Sequence, residues 1–288
     1  MSEISSISYF YKKMNTFLVK LYHHKRPFRY LLAIFLKKTQ LSQQIVFENN
    51  GIKFCFFPTS FSQTLWIFAP HFSDEESIFF QQYIQPDDII LDVGANIGSL
   101  TLIAAKAAGK NGNVLAFEPS KKIFEDLNYN ISLNKFTNCK TYNVALGEKN
   151  GEQNWEEKHA DDQSKINISH SKIKVKMNQL DEYCAPFSKI DLLKIDVEGY
   201  EYFVLKGATE TLKKTDCVYF EAKESHASHY NYTISNIIIF LKTHNFDCYL
   251  LENQTFVKLE NDFSPQKCVN IIASKDKRIL DKRMNRKK

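Results

Sequence analysis

The residues best placed to do chemistry lie in Ile190-Asp-Leu-Leu-Lys-Ile-Asp-Val-Glu-Gly199, where Lys194, Asp196 and Glu198 recur at a period of two. An extended strand would carry all three on one face. A lysine and two carboxylates at the end of an apolar run are costly to desolvate unless they bind a ligand or one another. Toward a hydroxyl the chemistry would be proton removal. One carboxylate would be the general base and the other its orienter or a substrate clamp, with Lys194 keeping one of them ionised. Spacing does not assign the two roles. Two neighbouring carboxylates also suit magnesium, but no cysteine or histidine cluster has metal-ligand spacing and no resident metal is expected. His226, His229 and His244 read as surface histidines. The purely structural alternative is a salt-bridged strand end that positions the next helix, Tyr200 to Lys206.

A second stretch supplies the partner for that chemistry. In Asp87-Asp-Ile-Ile-Leu-Asp-Val-Gly-Ala-Asn-Ile-Gly-Ser-Leu-Thr101, the run Ile89 to Val93 suits a parallel strand covered on both faces, and Gly94 and Gly98 bracket a turn into a helix. Without a Cβ in the way, a ligand can approach such a turn closely. About twenty residues further on, Val114-Leu-Ala-Phe-Glu118 is a strand ending in an acid, the position from which a carboxylate accepts ribose hydroxyls. The pair of signals points to an adenosine-bearing ligand. A dinucleotide fingerprint, G-x-G-x-x-G, aligned on Gly94 meets Asn96 and Ser99 instead of its second and third glycines. What stands there is D-x-G-x-N-x-G, Asp92 through Gly98. It resembles the first motif of class I S-adenosylmethionine-dependent methyltransferases, which implies Asp92 facing the methionine ammonium.

Both strand ends must be held at one edge of a parallel sheet, and the remaining chain reads as the parts of that sheet. Phe28, Leu31, Leu32, Phe35 and Leu36 recur at helical spacing among Lys25, Arg26, Arg29, Lys37 and Lys38. This basic amphipathic helix is expected to pack on protein by that stripe, with an anionic membrane as the alternative. Ile45-Val-Phe, Lys53-Phe-Cys-Phe-Phe and Leu65-Trp-Ile-Phe, parted by Asn49-Asn-Gly51 and Pro58-Thr-Ser60, read as two or three small strands. A helix follows from Ser73, an N-cap with Glu76 completing a capping box, to a stop at Pro86. Ser120 caps a helix carrying Ile123, Phe124, Leu127 and Ile131, and Cys139 to Leu146 makes a third strand with Asn143 and Ala145 near its carboxyl end. Residues 147–178 alternate, with Ile166, Ile168, Ile173 and Val175 on one side, as an inserted antiparallel hairpin would. Cys217 to Glu221 is a fifth strand ending in an acid; a helix over Ile234 to Lys242 and three more strands close the sheet. The expected fold is α/β, a doubly wound, mostly parallel, seven-stranded Rossmann-like sheet. A helical and β extension over 1–70 precedes the main domain at 71–274, and a basic tail follows at 275–288.

Composition bounds the class. With 288 residues and 43% hydrophobic content the chain can bury a real core. Its net charge of +5 is uneven: residues 1–40 hold eight Lys and Arg against one acid, residues 275–288 eight against two, and the stretch between is net negative. Basic ends are usually solvated, with contact to an anionic surface the alternative. Six scattered cysteines without a C-x-x-C pair suit reduced thiols. No secretory signal is expected, and the longest apolar run, Tyr30 to Leu36, is far short of the ~20 residues that cross a bilayer. A cytoplasmic protein, peripheral at most at the inner membrane face, is the expectation.

Joined together, Asp92-Val-Gly-Ala-Asn-Ile-Gly98, Glu118-Pro119, Asn143-Val-Ala-Leu-Gly147 and Leu193-Lys-Ile-Asp-Val-Glu-Gly-Tyr-Glu201 resemble the FkbM family of methyltransferases in order and spacing. The resemblance implies a class I methyltransferase fold and O-methylation of a sugar, glycan or other small molecule, with S-adenosyl-L-methionine as cofactor. Asp92, Gly94, Asn96, Gly98 and Glu118 would then hold the cofactor, with Asn143 and Ala145 near it. Glu75 matches an acid often found before the central strand. Asp196 and Glu198, beside Lys194, would face the reacting methyl group. A base N-methyltransferase would show a D/N-P-P-Y/F loop; the chain has no adjacent prolines, so nucleic acid is not an expected partner. The competing classes are an NAD-dependent oxidoreductase on the same kind of sheet, and a non-catalytic module that holds membrane or nucleic acid through its basic ends.

Overall fold

The computed structural model describes residues 25–156, 165–166 and 173–285, in two compact units that divide between Phe72 and Ser73. Ile168 and the last basic residues, Arg286 to Lys288, lie outside the described residues.

In the first unit, helix α1 (Pro27–Lys38) precedes a hairpin of β1 (Val46–Asn49) and β2 (Ile52–Cys55), then helix α2 (Ser60–Phe68). The hairpin turns through Asn50 and Gly51, both at positive φ, as the Asn-Gly pair requires of a two-residue loop. The segment Leu65 to Phe68, expected as a strand, is helical. Thr59 caps it, accepting from the Ser62 N–H, and Ser62, Leu65 and Trp66 are buried at helical spacing. Helix α1 also departs from expectation: Phe28, Leu31, Leu32 and Phe35 are exposed, and among the described residues only Leu36 of the expected stripe packs. Arg26, Arg29, Tyr30, Ala33 and Leu36 share a face, and the two arginines set it. Both donate to the Ala69 carbonyl at 2.8 Å, satisfying the end of α2, and Arg29 lies 4.7 Å over the Trp66 ring.

The second unit opens with helix α3 (Glu75–Tyr83). Its cap is Asp74, not Ser73: Asp74 accepts from the Ser77 N–H at 2.8 Å and the Ser77 hydroxyl accepts in return. In chain order come β3 (Ile89–Val93), α4 (Ser99–Ala108), β4 (Asn113–Phe117), α5 (Lys121–Asn134) and β5 (Cys139–Tyr142). The chain then leaves the sheet through β6 (Ala145–Leu146), β7 (Gly151–Glu156), β8 (Lys165–Ile166) and β9 (Ile173–Asn178). Helix α6 (Asp181–Cys184) leads back to β10 (Leu192–Ile195), α7 (Glu201–Lys206), α8 (Thr209–Lys213), β11 (Cys217–Ala222), α9 (Glu224–His229) and α10 (Ile234–Thr243). The hairpin β12 (Asp247–Glu252) and β13 (Thr255–Lys258), β14 (Val269–Ser274) and α11 (Lys277–Met284) complete the unit.

The main sheet has the order β13-β12-β14-β11-β10-β3-β4-β5, with β3, β4, β5, β10 and β11 parallel. This is the expected doubly wound sheet; its eight strands are those read one by one along the chain, one more than the seven given for the fold as a whole. The chain winds outward from β3 to β5 and returns beside β3 as β10, so a crevice opens at the carboxyl ends of β3 and β10. The expected third strand is broken: β5 ends at Tyr142, and β6 pairs with β9 in a second sheet of order β6-β9-β7-β8. The inserted hairpin, β7 against β9, is therefore the centre of a four-stranded sheet. It shares a core with the main sheet through Trp155, Val175 and Met177.

The basic tail, expected to be solvated, is helix α11 over most of its length. At the amino ends of β3 and β10, Asp88 and Asp191 are both buried and converge on the buried Arg283, whose guanidinium reaches them at 2.5 and 2.8 Å. Two buried carboxylates need such an answer, and α11 provides it.

Candidate active site

Strand β3 delivers Asp92 and Gly94 to the crevice, and β10 delivers Lys194 and Asp196. The parallel register sets Lys194 directly beside Asp92. Asp92 is 0% exposed and accepts from the Thr101 hydroxyl at 2.5 Å, while its other oxygen lies 3.1 Å from the Lys194 ammonium. It was expected to face a ligand ammonium; the structure seals it under the turn, with Lys194 as its counter-ion. Lys194 in turn donates to the Gly94 carbonyl at 2.8 Å and lies 3.8 Å from Asp196. Desolvation opposes its charge, but Asp92, Asp196 and Glu76 together raise its pKa above the ordinary lysine value. Lys194 is thus a buried clamp on the glycine turn rather than a group presented to the crevice.

The turn itself explains its glycines. Gly94 stands at φ +78, and a Cβ there would sit 1.8 Å from the Asp196 carbonyl oxygen, so only glycine lets β3 and the end of β10 pass one another. The N–H groups of Gly94 and Ala95 both donate to the Phe117 carbonyl, tying the turn to β4. Asn96 donates its N–H to Glu118 at 3.0 Å, and Ser120 donates to the other Glu118 oxygen at 2.9 Å. Glu118 is 6% exposed, and burial pushes its pKa up to about 7 against those two N–H groups and the Lys194 charge. Asn143 braces this corner by donating to the carbonyls of Glu118 and Pro119. Ala145 is in the core, on the strand that departs for the second sheet.

The expected common face of Lys194, Asp196 and Glu198 does not form. The strand ends at Ile195, and Glu198 adopts φ +56, which breaks the alternation. Lys194 and Asp196 stay together, and Glu198 turns to His226, whose Nδ1 is 3.4 Å from it and 3.6 Å from Glu221. Gly199 makes this possible: at φ +102 a Cβ would meet the His226 backbone oxygen at 2.9 Å. The turn is held from below by Glu201, which accepts from the N–H groups of Val197 and Gly199, and whose pKa burial pushes up to about 7. His226 is therefore half-buried in the site and not a surface histidine, whereas His229 is exposed.

On α3 it is Glu76, not the expected Glu75, that turns inward. Glu75 is exposed. Glu76 shares a helical face with the buried Phe79, Phe80 and Tyr83, a spacing of three, four and seven that is visible in the sequence. Desolvation pushes its pKa up to about 8, with the Asp196 charge adding and Lys194 opposing. The Asp196 pKa is likewise raised, by desolvation first, with Lys194 opposing and Glu221 adding. Burial thus raises the proton affinity of Glu76, Glu118, Asp196 and Glu201 above the ordinary carboxyl value, the direction a general base needs, whereas at Glu221 desolvation is outweighed by His226 and Cys268 and the pKa is lowered. Glu221 lies in the site as the acid that ends its strand, while Glu76, His226 and Glu201 are residues of the crevice that the strand pattern did not assign to it; His226 carries no signal of its own, being brought in by the packing of α9 on Gly199.

The sequence model of the FkbM methyltransferase domain matches residues 92–248, more than half of the chain. The chain belongs to the FkbM methyltransferase family. The chain is 28% identical over 158 residues to the 2-O-methyltransferase NoeI of Sinorhizobium fredii, and 31% identical over 141 residues to the hexuronic acid methyltransferase AglP of Haloferax volcanii. Each match takes in 48% of this chain, and they span 64% and 56% of the relatives' own lengths, less than two thirds of either. An rRNA methylase from Streptococcus thermophilus aligns at 12% identity over 69% of this chain and 92% of its own, with a TM-score of 0.43. A likeness at that level carries no argument, and the FkbM domain's fold is read from its own sheet order. Among the described residues no helix is long and apolar enough to cross a membrane.

Proposed function

We propose that this FkbM-family chain transfers the methyl group of S-adenosylmethionine to a hydroxyl of a sugar or glycan. The observation that carries the reading is the half-buried Asp196 at the sheet's switch point, its proton affinity raised, one residue beyond the strand that clamps the glycine turn.

The residues present suit an adenosyl ligand. Each Glu118 oxygen is engaged by one backbone N–H, which leaves one further lone pair on each for a ribose hydroxyl. The chain offers Glu118 and the backbone from Gly94 to Gly98 for this purpose, with Asn143 holding the Glu118 corner. Asp92 and Lys194 act beneath the turn and position it. When bound, the cofactor supplies an electrophilic methyl group on a sulfonium centre.

A sugar hydroxyl is a weak nucleophile, so the chain's part is to orient it and to take its proton. Asp196 is the base in this reading. The Lys194 charge favours its ionised form, and Glu76, carrying a proton near neutral pH, adds no second full charge beside it. The name of one relative, a hexuronic acid methyltransferase, supports a saccharide acceptor, and that of the other, a 2-O-methyltransferase, supports oxygen as the nucleophile.

The test is single-turnover transfer of labelled methyl to a panel of saccharides that includes uronic acids. Asp196→Asn should lower the rate by about 10²–10⁴-fold with cofactor affinity unchanged. Near wild-type turnover by that variant, or absence of cofactor binding by the wild type, overturns the proposal.

A further inference from the structure

Among the described residues, Glu198, Glu221 and His226 each bring one potential ligand atom into a group lying within 4.8 Å of one another. The geometry points to a divalent cation site at this cluster, of the manganese or zinc type, in the turn that follows Asp196. Its role in the reaction rests on the O-methyl transfer reading; the binding itself does not.

Four observations converge. The Nδ1 atom of His226 is buried and, among the described residues, has no partner of good hydrogen-bond geometry; its nearest neighbours are two carboxylate oxygens 3.4 and 3.6 Å away. Those separations are long for hydrogen bonds but match neighbouring donors around one ion. Bonds of about 2.0–2.2 Å place the donor atoms of a tetrahedral or octahedral shell about 3–3.5 Å apart. Second, Cys268 donates its thiol to the other Glu221 oxygen at 3.0 Å, which fixes that carboxylate with its free oxygen toward His226. Third, the three ligands come from three separate elements, the turn after β10, strand β11 and helix α9, and Gly199 is shaped to let the third approach the first. Fourth, Asp196 stands two residues before Glu198 in the turn that ends β10, so a cation held by the cluster would lie close to the proposed base.

The donor set selects the ion. One imidazole with two carboxylates suits manganese or zinc better than calcium, which prefers oxygen ligands throughout, and three protein ligands leave positions open. At those positions an acceptor hydroxyl would bind the metal, which lowers its pKa and so eases its loss of a proton to Asp196.

The experiment uses the full chain, stripped with chelator, without cofactor or acceptor. Manganese binding followed by electron paramagnetic resonance, and zinc binding by calorimetry, should show one ion per chain. His226→Ala and Glu221→Gln should each weaken it at least tenfold, and Glu210→Gln, an exposed acid on α8, should leave it unchanged. Thermal unfolding of each variant, and His226→Gln as a milder replacement, separate loss of the site from loss of the fold. No binding up to millimolar metal, or binding that survives all the cluster substitutions, overturns the inference. Because nothing here depends on turnover, a failed acceptor screen and a failed metal site are distinguishable results.

Discussion

Replacing Lys194 by methionine separates the clamp from a catalytic lysine. The substitution keeps the apolar stem and removes the ammonium, leaving Asp92, which has no exposure to solvent, without its counter-ion at 3.1 Å. Truncating one member of a buried pair costs about 3–5 kcal/mol, and the orphaned Gly94 carbonyl adds about 1 kcal/mol. The 3.8 Å contact to the half-exposed Asp196 adds little, because solvent screens it. The total is a large share of the ~5–15 kcal/mol typical of a domain. Urea unfolding of Lys194→Met, Asp92→Asn and the double variant would measure it. The double variant, with neither charge buried, should be more stable than Lys194→Met alone, with a coupling of about 2 kcal/mol or more between the sites. If Lys194→Met unfolds like the wild type and only turnover is lost, Lys194 belongs to the chemistry and the clamp is wrong. Additive effects of the two substitutions would refute the pairing in the same way.

Two further outcomes follow from other buried charges. The Glu118 pKa is raised from 4.5 to about 7, so its contribution to folding is fully present below about pH 4.5 and is lost as the pH rises through 7. The stability difference between wild type and Glu118→Gln should therefore move by about 3 kcal/mol in favour of the variant from pH 4.5 to 8, while the variant binds cofactor more weakly; a pH-independent difference contradicts this. At the opposite edge of the sheet, Arg283→Met should cost about 3–5 kcal/mol by urea unfolding, toward the lower end because Lys189 still pairs with Asp191, with no change in cofactor affinity.

Where the sequence misled, a local pattern was overruled by something distant. The alternation of Lys194, Asp196 and Glu198 is real as a pattern, yet it presumes that the strand continues. The Asp196 carbonyl is wedged against Gly94 and the turn beyond is held by Glu201, so the chain reverses at Glu198. Likewise the apolar stripe of α1 was visible, but two arginines reaching the end of α2 chose a different face. Glu76 was legible through its spacing from Phe79, Phe80 and Tyr83, and the neighbouring Glu75 was preferred only on resemblance.

The sequence by itself determined the parts that depend on neighbours in the chain: the buried strands from their apolar runs, the glycine turn, the acid that ends β4, the Asn-Gly hairpin and the family. These follow because backbone conformation and side-chain periodicity are local. Tertiary structure alone decided which charges meet. It paired Asp92 with Lys194 through the register of β3 and β10, joined Asp88 and Asp191 to Arg283 at the far end of the chain, and set His226 beside Glu198 and Glu221. A charge is neutralised by whatever lies within a few ångströms in space, and sheet order, not sequence distance, determines what that is.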